Sequence, residues 1–176
     1  MKIWKSFFPS SPQNREEETL SSIHKRLMVE LSELEEKDHI LIACLSGLLA
    51  RLAFVDLDIT EEESHSMVKA VTKMTSYSET VAKKIVLIAQ EEINELVDHE
   101  NHLYTRPLNK ILSKEQKENT LKLLFQVAAA DGKVENLESE EIRRIAKELR
   151  LSHEQFVQAK LTVRGQIEAL AKRPSS

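Results

Sequence analysis

Cysteine is almost missing: Cys44 stands alone among 176 residues. A single thiol excludes an intramolecular disulfide and a thiolate cage around a metal. Cys44 lies in the apolar run 40–50, where a small packed thiol is inert, and such sparing use suits a reducing compartment. With only 3 Gly and 4 Pro, the chain lacks the turn residues a sheet needs, so long helices with short connections are expected. Gly47, Gly132 and Gly165 are too far apart to cradle a phosphate, and no Gly-x-Ser-x-Gly nucleophile elbow occurs. Aromatic residues make up 5% and the net charge is −4. With neither a basic face nor stacking aromatics, a nucleic-acid partner is not expected. No transmembrane segment is expected either. The most apolar stretch, 40–55, contains Arg51 and falls short of the roughly 20 residues a spanning helix needs. It reads instead as a buried central helix.

What remains is charge in abundance, 31% of residues against 41% hydrophobic ones, with the apolar residues spaced periodically. Residues 1–13 read as a flexible tail carrying Trp4, Phe7 and Phe8 with two lysines, but without a secretory apolar stretch. That tail could touch a membrane surface or a partner groove. Residues 14–176 read as a single helical domain, in keeping with the length. Asn14 with Glu17 opens the first helix at capping-box spacing, and Leu20, Ile23, Leu27, Leu31 and Leu34 form one narrow stripe. The stripe serves either the protein's own core or an intermolecular seam. Asp38 caps the next helix. Thr60 with Glu63, Ser78, Ser113 with Gln116, and Ser152 with Gln155 mark further starts. His99–Pro107 reads as a linker, because proline lacks the donor a helix interior needs. The expectation is an all-α chain of about seven helices and no strand.

The chain also repeats itself. Leu48-Leu49 falls on Leu123-Leu124, Asp56 on Asp131, Ile59 on Val134, Glu63 on Glu138 and Met67 on Ile142, all at an offset of 75. By Ser78 and Ser152 the offset is 74. Two pseudo-symmetric units follow, about 40–100 and 113–172, each a helix, an acidic break, a short helix and a serine-capped helix. In each, a β-branched residue plugs the break into the core and acids gather at the next helix start, where the dipole favours them. Leu48, Leu49, Leu52, Leu123, Leu124, Val127, Ile142, Ile145 and Leu149 are the expected core.

Within the second unit, Val127-Ala128-Ala129-Ala130-Asp131-Gly132-Lys133-Val134, then Glu138, Glu141, Ile142 and Leu149-Arg150-Leu151-Ser152, resemble the signature of the TerB tellurite-resistance family. The resemblance is clear over 121–159 and extends through the repeat to about 43–90. Leu57-Asp58 departs from the pattern, standing where glycine and a polar residue are usual. The resemblance implies a TerB-like helical bundle, related to the helical module of J-domain co-chaperones. It also implies a non-catalytic role in stress response through a protein partner, in the cytoplasm or peripheral to the inner membrane of a bacterium. It further implies that the acidic loops bind cations.

Those loops hold Asp56, Asp58 and Glu63 on one side and Asp131, Glu135 and Glu138 on the other. Carboxylates suit hard ions, so Ca²⁺ or Mg²⁺ is the expected occupant and a divalent-cation sensor the alternative function. The spacing is not that of an EF-hand: counted from Asp56, the sixth residue is Glu61 and the twelfth Met67. Helix capping is the plainer role for every one of these acids. A second set, Glu95, His99 and His102, could share a helix face for a transition metal. A ferritin-like site needs paired motifs, and only one loose variant is present.

Overall fold

A computed structural model describes residues 15–53, 61–74, 77–91, 101–130 and 133–171. The expected tail 1–13, the break around Asp56 and Asp58, and the paired Asp131-Gly132 lie outside the described residues, as do Asn14, Ile59 and Thr60. Among the described residues there are eight helices and no strand. In chain order they are α1 (Arg15–Glu30), α2 (Glu36–Ala53), α3 (Glu61–Met74), α4 (Glu79–Glu91), α5 (His102–Ile111), α6 (Lys114–Ala128), α7 (Asn136–Glu148) and α8 (His153–Ala171).

The eighth helix is α5, which occupies much of the stretch expected to be a linker. Pro107 sits inside it. A helix leaves its first four N–H groups without intrahelical partners in any case, so a proline at the sixth position deletes a single bond, the one to the Leu103 carbonyl. α5 buries Leu103, Tyr104, Pro107 and Leu108, and burial at roughly 1.5–3 kcal/mol per large apolar side chain outweighs that loss.

α2 is the central helix, as its apolar run suggested. It is buried from His39 and Ile40 through Ala50 on nearly every face, with α1, α4 and α5 packed around it. α5 crosses very close at Gly47. A Cβ there would lie 2.2 Å from Cε1 of Tyr104, whose side chain is fully buried. Glycine is therefore required at this crossing by the approach of the ring. Ser46 uses its hydroxyl to bond the Ile85 carbonyl of α4 at 3.0 Å.

The α1 stripe turns inward. Leu20, Ile23, Leu27 and Leu31 are buried and Leu34 packs against the same cluster. The helix itself stops at Glu30, so Leu31 and Leu34 belong to the turn leading to α2. Asp38 lies in the first turn of α2, where it accepts a 2.6 Å bond from the Tyr77 hydroxyl. α1 is fastened to α4 by Arg26 to Glu91 at 2.7 Å and by Lys84 to Glu30.

α3 lies on α4 and α6, and α8 packs on α6. Phe156 of α8 meets Phe125 at 5.4 Å between ring centroids, and the Arg143 guanidinium of α7 covers it at 5.2 Å. The nine expected core residues are all buried in one contiguous cluster. Leu161 of α8, by contrast, is 52% exposed.

The serine caps form as spaced. Ser113 and Gln116 make a full capping box, and Ser152 and Gln155 do the same at 2.9 and 3.2 Å. Ser78 accepts from the Val81 N–H at a longer 3.4 Å.

Candidate functional site

The α6–α7 junction is the described half of the acidic-loop proposal. α6 ends with a tightened turn: the Ala129 N–H reaches the Phe125 carbonyl at 3.0 Å and the Ala130 N–H reaches Val127 at 3.0 Å. After the junction, Val134 packs half-buried against the core, as a plug should. Glu135 then takes an extended backbone (φ −71°, ψ 162°) at the start of α7. Its N–H donates to Glu138 Oε2 at 2.7 Å, and its carboxylate meets Lys133 Nζ at 2.8 Å. Both acids thus complement a helix N-terminus. Of the other expected ligands, Asp56, Asp58 and Asp131 lie outside the described residues, and Glu63 is described only as part of the α3 backbone. Glu95 and His99 are outside as well, while His102 is exposed at the start of α5. Among the described residues, no three His, Cys, Asp or Glu side chains are placed to hold one metal ion.

One turn beyond Glu138, a cluster stands out that the sequence reading had not assembled. Glu141 is 6% exposed and gathers three donors. Arg51 Nε of α2 reaches Oε1 at 3.1 Å, Asn101 Nδ2 reaches the same oxygen at 2.9 Å, and Arg144 Nη1 reaches Oε2 at 3.3 Å. Further along the same face of α7, Glu148 accepts from the Thr105 hydroxyl at 2.9 Å, and its backbone carbonyl accepts from Asn109 Nδ2 at 2.7 Å. A buried carboxylate is tolerated only when charges and donors satisfy it, and these residues do so while tying α7 to α2 and α5. The signal for it was Arg51, a lone charge inside the most apolar run of the chain.

α7 closes on a left-handed residue. Arg150 has φ 61°, the Leu151 N–H returns to the Ala146 carbonyl at 3.0 Å and the Arg150 N–H to Lys147 at 3.0 Å. That double bond pattern is the Schellman motif. It gives the Leu149-Arg150-Leu151-Ser152 segment its physical content: two buried leucines flank the reversed residue and the serine caps α8.

Comparison with protein families matches residues 41–161 to the model described as tellurite resistance protein TerB. The chain belongs to the TerB family. No curated protein and no solved structure matches it. The TerB region begins inside α2 and ends inside α8. It therefore includes Arg51, Asn101, Glu141 and the Arg150 turn, and leaves α1 outside. No helix among the described residues is long and apolar enough to cross a membrane. Cys44 is buried and its thiol pKa is pushed up by that burial, as an inert thiol's should be.

Proposed function

We propose that this TerB-family chain is a non-catalytic interaction or scaffold protein of a bacterial response to tellurite and related chemical stress, working in the cytoplasm or at the inner membrane face through a protein partner. The family match across 41–161 carries this reading. The use of the buried charges supports it: Glu138 caps a helix and Glu141 joins three elements. Leu137 and Leu161, on α7 and α8 within the TerB region, are 68% and 52% exposed, and a partner can cover such side chains without disturbing the core. The test is tellurite tolerance in a strain lacking the chain. Wild type restores tolerance. The double variant Leu137→Glu, Leu161→Glu keeps the wild-type Tm and fails to restore it. Full restoration by that variant would overturn the use of this surface, and no rescue by wild type would overturn the role.

A divalent-cation sensor is the second reading, with Asp56, Asp58, Glu63, Asp131, Glu135 and Glu138 as ligands to Ca²⁺ or Mg²⁺. The Arg51–Glu141 bridge favours it, since it fastens the last turn of α2, shortly before Asp56, to the helix that follows Asp131. A cation that binds only the folded state raises its Tm. A Tm unmoved by millimolar Ca²⁺ or Mg²⁺ leaves the acids as caps and ends this reading.

A further inference from the structure

The joint between α1 and α2 has no stop signal and no start signal. α1 ends at Glu30, α2 begins at Glu36, and Leu31-Ser32-Glu33-Leu34-Glu35 lie between them. Helices commonly end at a left-handed glycine or asparagine and start after serine, threonine, aspartate or asparagine. Here no glycine or proline occurs from Arg15 to Ser46, and Glu35 is the residue before α2. Among the described residues, Arg150 is the non-glycine residue with a positive φ, so the joint has no left-handed turn. Four of its five residues are leucine or glutamate, both good helix formers. The spacing of Leu27, Leu31 and Leu34 stays helical straight through the turn.

The closed turn is held at the Leu31 carbonyl. It accepts from the Leu34 N–H at 3.0 Å and from Nε2 of the buried His39 at 2.8 Å. A carbonyl only accepts, so Nε2 carries the proton. In a straight helix the same carbonyl accepts from the Glu35 N–H. Opening therefore exchanges one set of bonds for another and leaves the backbone satisfied.

We propose that α1 exchanges between two copies of this chain: residues 31–35 straighten, α1 and α2 run on as one helix, and each α1 docks on α2 and α4 of the other copy. The arriving arm brings what the site already accepts. Leu20, Ile23 and Leu27 are at most 1% exposed, and Arg26 and Glu30 supply the ion pairs to Glu91 and Lys84. Undocking α1 loses roughly 1.5–3 kcal/mol per large buried side chain, and docking in trans recovers it, so exchange is slow but close to neutral. The crossing of two straightened joints adds a contact that the closed form lacks. Val29, in the last turn of α1, is 80% exposed, more than any other large hydrophobic side chain among the described residues. Lys25 and Glu33 lie four residues to either side of it, both exposed. An antiparallel crossing at Val29 is self-complementary: the two valines meet, and each Lys25 faces Glu33 of the other copy. α1 precedes position 41, so the TerB region receives the arm and does not supply it. Leu137 and Leu161 stay uncovered on both copies, and a dimer offers a partner two equivalent surfaces. That consequence rests on the scaffold role proposed above, whereas the exchange itself does not.

Size-exclusion chromatography with light scattering, on the full chain concentrated and then diluted, should separate a monomer from a slowly interconverting dimer. Cross-linking then identifies which copy hosts each arm. In Cys44→Ala carrying Arg26→Cys and Glu91→Cys, a short bis-maleimide should link each chain to itself in the monomer fraction. In the dimer fraction it should link the two chains to each other, read on a denaturing gel. If that variant fails to fold, Glu30→Cys with Lys84→Cys reports the same junction. Inserting three glycines after Glu33 interrupts the straight helix and relaxes the turn, and should lower the dimer fraction about tenfold or more. A chain that stays monomeric at millimolar concentration, a dimer whose links remain within one chain, or an insertion without effect would overturn the exchange.

Discussion

The helices α2 to α4 and α6 to α8 come in the same order, and a serine precedes both α4 and α8, yet the two sets carry different loads. α2 is enclosed by α1, α4 and α5 and is buried on almost every face. α6, which the sequence offset of 75 aligns with α2, starts with an exposed first turn at Lys114, Glu115 and Gln116. α3 spreads over α4 and α6, whereas α7 joins α5, α6 and α8 and reaches α2 through the Arg51–Glu141 bridge. Repetition of the local pattern therefore specifies where helices start and stop. What each helix buries depends on the elements inserted around it, here α1 and α5.

Equivalent core leucines should respond alike and most strongly. Leu49 and Leu124 occupy matched positions and both are fully buried. Leu49→Ala and Leu124→Ala should each cost about 2–5 kcal/mol in denaturant unfolding. A loss below about 0.5 kcal/mol at only one of them would break the register on which the comparison rests.

Acid should act on α1, which precedes both units. Below its unfolded pKa of 6.5, His24 gains a proton more readily in the unfolded chain than in the folded one, where the pKa is about 4. Its contribution is complete above about pH 6.5 and is lost as pH falls to about 4, a total of up to about 3 kcal/mol. Unfolding curves across that window should show the decline, and His24→Leu should flatten it. An unchanged slope in His24→Leu would assign the acid sensitivity elsewhere.

A smaller contrast separates Gly47 from Lys122, which aligns with it at the same offset of 75. Gly47→Ala drives a methyl into the Tyr104 ring and should cost about 1–3 kcal/mol. Lys122→Ala, on a half-exposed side chain, should stay within about 0.5 kcal/mol. Equal effects would mean that α5 does not distinguish the two units.

The smallest expected change is a gain. Arg150 bears a left-handed backbone that glycine adopts without a Cβ penalty. Arg150→Gly should raise stability by about 0.5–1 kcal/mol, read as a higher Tm. A lower Tm would show that the arginine side chain contributes more than its backbone costs.

Much of this was legible because it is local. Capping serines, the Leu20–Leu31 stripe and the paired leucines announce themselves within a few residues, and the all-helical class follows from their spacing. α5 was misread because the rule excluding proline from helix interiors outweighed the apolar face formed by Leu103, Tyr104 and Leu108. The candidate sites were harder. Glu135 and Glu138 could be placed near a helix start, but the partners of Glu141 come from positions 51 and 101, and no periodicity within one helix reports such a meeting.

The Arg51–Glu141 bridge spans 90 positions, and that separation bears on the order of events during folding. Closing so long a segment is entropically costly until intervening contacts have shortened it. The pair should therefore form after the rate-limiting barrier, behaving as a late latch on an assembled bundle. Arg51→Met should speed unfolding in proportion to the stability it removes and leave refolding almost untouched. A refolding arm that slows as much as the unfolding arm accelerates would place the latch in the nucleus instead.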